Sequence, residues 1–192
     1  MFPKSAKQKT LPPLALVALV AAAAPAMAED RPFHVEAEVG RMSVDDVDNA
    51  PLHDSTTAFR LGTGYRFLPW FGVTGAYVDL GTLESTVDIG AAPAVPVKAS
   101  ADGFELILTG RVPLTDALAL TAHAGVLWWT GDTNVGGIAS SDNGNDSTWG
   151  FGAEYAFGPR LTVTGDWRRY KVDNVDADAA WLGLMLRFGD AP

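Results

Sequence analysis

Alternation with a period of two, repeated over eight segments of about ten residues, constrains this chain more than any other feature. In the last segment Ala180, Leu182, Leu184, Leu186 and Phe188 alternate with Trp181, Gly183, Met185 and Arg187. The earlier segments cover positions 33–42, 58–67, 71–80, 103–112, 118–129, 148–157 and 161–170. This periodicity fits strands rather than helices, and the segment length suits a tilted crossing of a hydrocarbon layer. Connections alternate as well. Tight turns are expected around Pro69, at 113–116 and at 158–160, and longer polar loops at 43–57, 81–102, 130–147 and 171–178. That long-short rhythm predicts an all-β, eight-stranded antiparallel up-and-down transmembrane β-barrel with a polar interior and both termini at one rim.

The N-terminus carries Lys4, Lys7 and Lys9 and no acid, then an apolar run at 11–25, then Ala26-Met27-Ala28. This pattern predicts a cleaved signal peptide at 1–28 and a barrel domain at 29–192; a retained anchor is the competing reading. Removing 1–28 takes three of the 14 basic residues and none of the 23 acids, so 11 remain against 23 and the net charge moves from -9 to -12. Such acidity excludes nucleic acid as a partner. Cysteine is absent, which excludes disulfide staples, thiol catalysis and Cys-ligated metals.

A soluble ligand-binding barrel would alternate too, with its apolar face turned inward. Two features favour the inverted arrangement. The polar face contains Gly40, Gly62, Gly64, Gly125, Gly150, Gly152 and Gly183, small residues that a narrow lumen needs beside large ones. The apolar face carries aromatics near both segment ends: Phe33, Tyr65, Phe67, Trp70, Phe71, Tyr155, Phe157 and Phe188 at the short-turn rim, and Tyr77, Trp128, Trp149 and Trp167 at the other. Two such rings match the two headgroup layers. The inward set then holds five acids, Glu36, Glu38, Glu105, Glu154 and Asp166, and five arginines, Arg60, Arg66, Arg111, Arg168 and Arg187. Burial in a narrow lumen requires these to pair. A fixed plug is one reading of that network, and a gated ion path is the other.

The chain resembles the OmpA-like and OmpX-like eight-stranded outer-membrane barrels, most closely the OmpA transmembrane domain. The likeness rests on 64–72 (GYRFLPWFG), Leu80-Gly81, 112–116 (VPLTD), 152–156 (GAEYA) and Leu186-Arg187-Phe188-Gly189. The resemblance implies a lumen salt-bridge network, with Glu105, Glu154 and Arg187 the best positional matches. It places His123 where an inward basic residue is usual. It also implies that Phe188 is the recognition signal for the barrel-assembly machinery, and that the peptidoglycan-binding domain of longer relatives is missing.

No catalytic or phosphate-binding motif occurs, and His53 with Asp54 and Ser55 is the only neighbouring trio, so neither an enzyme nor a cofactor is expected. The long connections are acidic, with Asp45, Asp46, Asp48, Asp54, Glu84, Asp88, Asp132, Asp142, Asp146, Asp173, Asp176 and Asp178. They could hold divalent cations that bridge to lipopolysaccharide, and 142–146 (DNGND) reads as an oxygen-rich turn. The expectation is a monomer in the bacterial outer membrane, in contact with its lipids and supporting envelope integrity. Loop-mediated adhesion or surface recognition and a narrow low-conductance channel are the rival functions.

Overall fold

The structure, a computed structural model, describes residues 31–44, 55–87, 95–172 and 175–189. The expected signal peptide, with His53, Asp54 and the aspartates at 45, 46, 48, 88 and 173, lies outside these residues. Eight strands follow one another: β1 (Phe33–Val44), β2 (Ser55–Leu68), β3 (Phe71–Val87), β4 (Val95–Pro113), β5 (Leu118–Val135), β6 (Ile138–Ala156), β7 (Leu161–Val172) and β8 (Val175–Phe188). Each pairs antiparallel with the next, and β1 pairs with β8 from Phe33↔Phe188 to Val44↔Ala177, which closes the barrel. Closure leaves no sheet edge within the barrel wall, as a lipid-embedded sheet requires.

The alternation resolves into an inside-out protein. Leu61, Leu182, Leu184, Phe59 and Phe151 point outward and are exposed, while Arg60, Arg168, Glu38 and Glu105 are buried in the lumen. In water such a surface would be a continuous apolar patch far larger than a soluble monomer carries. The three short turns lie together at one end, between Leu68 and Phe71, Pro113 and Leu118, and Ala156 and Leu161. Thr115 ties the second turn by accepting the Ala117 and Leu118 N–H groups at 3.2 and 2.9 Å.

The other end departs from the sequence reading. The β2–β3 ladder stops at Phe59↔Asp79 and the β6–β7 ladder at Thr148↔Tyr170. The ladders between them run on, β3–β4 to Val87↔Val95 and β5–β6 to Val135↔Ile138. A four-stranded sheet therefore stands beyond the barrel rim, where loops were expected at 81–102 and 130–147. Positions 142–146 belong to strand β6 and form no turn. The physical reason is that beyond the lipid neither sheet face is buried, so the apolar-polar alternation vanishes while backbone pairing persists. A bulge between Asp79 and Thr82 marks the transition, with Gly81 at φ 80° and its N–H held by Asp79 Oδ1 at 2.8 Å.

Candidate functional site

Two regions are built beyond what barrel closure alone demands: the packed lumen and the sheet beyond the rim. In the lumen, strand register sets the pairing. Glu38 on β1 lies opposite Arg60 on β2. The Arg60 guanidinium, fully buried, donates to Glu36, to Glu105 and, at 2.8 Å, to Glu38 Oε2. Arg168 on β7 approaches the same group, 3.2 Å from Glu38 Oε2 and 3.5 Å from Glu105 Oε1. Thr164 donates to Glu38 Oε1 at 3.2 Å. Two arginines thus hold three glutamates in a central tier. The planar guanidinium fork is what allows one cation to meet three carboxylates. Gly183 makes room, since a Cβ there would stand 2.5 Å from Glu38 Cγ.

Nearer the short turns the balance reverses. Glu154 Oε2 receives Arg187 Nη2 at 2.9 Å and Arg111 Nε at 3.2 Å, with Arg66 Nη2 at 3.6 Å. Asp166 extends the central tier: its Oδ2 is 3.6 Å from Arg168 Nη2, and its Oδ1 is 2.6 Å from His123 Nε2. The other nitrogen of His123 meets Thr109 Oγ1 at 3.1 Å, and His34 meets Thr74 Oγ1 at the same distance. Each of these ten charges has an ion-pair partner inside the barrel. They are sorted by height into an acid-rich central tier and an arginine-rich lower one. A small cavity lies between the tiers against His34, Arg111, His123 and Asp166.

Above the charges sits a layer that sequence reasoning missed. Met42, Val78, Leu80, Leu127, Trp129, Tyr170 and Trp181 form a buried apolar cluster across the lumen. Trp181 lies on Gly40, where a Cβ would come within 2.6 Å of its ring, and Trp129 lies on Gly144, at 2.8 Å. Trp129 Nε1 also donates to Asp146 Oδ2 at 2.8 Å. The signal was present: Val78, Leu80, Leu127, Trp129 and Trp181 are apolar residues at inward parity, with the facing glycines at matched positions.

On the outer face the expected aromatic residues do meet one another. Phe33 contacts Tyr65 and Phe188 at one rim, and Trp149 contacts Trp167 at the other, with centroids 5.0, 6.0 and 5.2 Å apart. Arg169 lies over Trp167 and forks onto both oxygens of Asp178 at 2.7 Å each. Of the single histidine trio only Ser55 is described; its hydroxyl accepts from Arg41 at 3.0 and 2.6 Å. Among the described residues no cluster of three or more His, Asp and Glu side chains could hold a metal.

Residues 13–188 match the family described as "Outer membrane protein beta-barrel domain". No curated protein is a significant sequence match. Among solved structures the chain is similar to Ail, the attachment invasion locus protein of Yersinia pestis, at 15% identity, TM-score 0.54, over 84% of this chain and 100% of that one. A complex of Ail with the heparin analogue sucrose octasulfate aligns equally well, with TM-score 0.53 and the same identity and coverage. Neisserial surface protein A is 18% identical, TM-score 0.59, over 81% and 97%. OprG of Pseudomonas aeruginosa is 14% identical, TM-score 0.59, over 83% and 97%. Kinship is thus to small outer-membrane barrels as a group, not to the OmpA domain specifically, and at these identities it concerns the fold.

Proposed function

The chain belongs to the outer membrane protein β-barrel domain family and resides in the bacterial outer membrane, and from that premise we propose that it is a surface-recognition barrel. The carrying observation is the four-stranded sheet beyond the rim. Strands β4 and β6 have 19 residues each against 12 in β1 and β7, whereas a membrane crossing uses about 9–11. A barrel that served only envelope integrity would gain nothing from the excess. The names of two similar structures, an attachment invasion protein and a surface protein, support the same reading. The sulfated heparin analogue seen with Ail is a poor fit here, because Asp132, Asp142, Asp146 and Asp102 dominate this sheet.

In this reading the lumen acts as a plug, closed by the ion-paired tiers and by the apolar layer in series, which disfavours the channel alternative. Residues 1–28 act as the export signal. Phe188, at the end of β8, acts as the signal to the barrel-assembly machinery. Lipopolysaccharide, with or without bridging divalent cations, surrounds the outer rim. Deleting 132–135 and 138–141 while keeping Gly136-Gly137 as the turn shortens the β5–β6 hairpin and leaves the barrel register intact. Cells carrying this variant should lose attachment to host-cell or matrix surfaces while the protein keeps its heat-modifiable gel mobility. Unchanged attachment would overturn the reading.

A further inference from the structure

The β6–β7 ladder begins at Thr148, yet β6 starts ten residues earlier at Ile138. Strand β7 ends at Val172, two residues past Tyr170, its partner to Thr148, and β8 begins at Val175. Along 138–147, no described strand lies on the side away from β5. Gly136 and Gly137 have φ of 58° and 93°, so the hairpin closes as a primed two-residue turn with Val135↔Ile138 as its last pair. That closing pair exchanges both ladder bonds, and pairing alternates from there. Ala139, Ser141, Asn143 and Asn145 therefore turn their N–H and C=O groups to the open side. The Asn143 N–H bears this out: it is met by Asp142 Oδ1 at 2.8 Å and not by a strand.

Beside this open backbone the side chains have a definite character. Ile138 is 78% exposed and shares a face with Asp142, since faces alternate along a strand. Asp142 and Asp146 lie on β6 and Asp132 on neighbouring β5. We propose that this edge binds an extended cationic polypeptide segment as a fifth strand of the protruding sheet, with an apolar residue beside Ile138 and a Lys or Arg beside Asp142. The proposal rests on the surface-recognition reading and gives its partner a chemistry. A second copy of β6 would bring the same aspartates to the junction and be repelled. A glycan or lipid headgroup lacks alternating donors and acceptors at every second residue, about 7 Å apart.

The test titrates a ten-residue threonine peptide, carrying a valine and a lysine four residues apart and so on one face of the extended chain, against the refolded full barrel in detergent micelles. A copy N-methylated at two adjacent central residues, which blocks both edges of the peptide, serves as the comparison. The parent peptide should bind saturably and the methylated copy at least tenfold more weakly. Ser141→Pro and Asn143→Pro should each weaken binding at least tenfold while heat-modifiable mobility is kept, and Asp142→Asn several-fold. Equal binding of both peptides would show charge acting alone and overturn the edge as the site. Absence of saturable binding, or self-association of the barrel through cross-linked β6 edges, would overturn it as well. Loss of attachment on hairpin shortening, with no peptide binding, would sink this proposal and leave surface recognition standing.

Discussion

Arg60 shows how much one side chain can settle in a barrel this narrow. It is fully buried and contacts Glu36, Glu38 and Glu105, so removing it takes a cation from three carboxylates, of which Arg168 still meets Glu38 and Glu105. Breaking a buried pair costs about 3–5 kcal/mol, because the remaining charge stays desolvated. Arg60→Ala should lower the urea stability of the barrel in lipid vesicles by that order. Arg169→Ala should cost about 1 kcal/mol or less, since its partner Asp178 and its own side chain, 33% exposed, lie at a solvated rim. Equal losses for the two variants would contradict the tiered account of the lumen.

Elements divide into those tied to the membrane and those released from it. The β5–β6 hairpin owes its register to Gly136 and Gly137, whose positive φ any L side chain resists. Gly136→Ala and Gly137→Ala should each cost about 1 kcal/mol. The loss should appear as faster amide exchange at Thr133, Val135, Ile138 and Ser140, whose N–H groups close the hairpin ladder, with the unfolding midpoint of the barrel unchanged. Slower exchange at the tip would show that another conformation holds the turn. Strand positions inside the membrane were legible from alternation alone, and the eight segments fall within the strands observed save for Phe157, one residue past the end of β6. Their continuation into 81–87, 95–102 and 130–147 was not, because solvent on both faces erases the periodic signal.

For the molecule as a whole, the proposed plug consists of two layers in series. The arginine-glutamate tiers fill the middle of the lumen, and Trp129, Tyr170 and Trp181 with Leu80 and Leu127 seal the end below the protruding sheet. The refolded barrel in a planar bilayer should therefore give no discrete conductance steps. Reproducible steps in the unmodified protein would require both closures to rearrange. Trp129→Ala removes one seal and leaves the charged tier, so the base current should stay flat. Its cost should appear as stability, about 3–5 kcal/mol for a large buried side chain cut to a methyl.

What the chain determined by itself is its inside and outside. Outward Val35, Leu61, Leu182 and Leu184 must meet lipid, and inward Glu38, Arg60, Glu105, Glu154 and Arg187 must be buried together. Both follow from a local rule, the two-residue period of a strand, which needs no knowledge of neighbours. Only the tertiary structure decided which charges meet, because pairing across a barrel depends on strand stagger, which no single strand encodes. It likewise decided that Glu154 gathers three arginines while Arg60 gathers three glutamates. Trp181 finding Gly40, Trp129 finding Gly144, and β6 outrunning β7 by ten residues are relations between distant segments. They emerge only when closure brings those segments side by side.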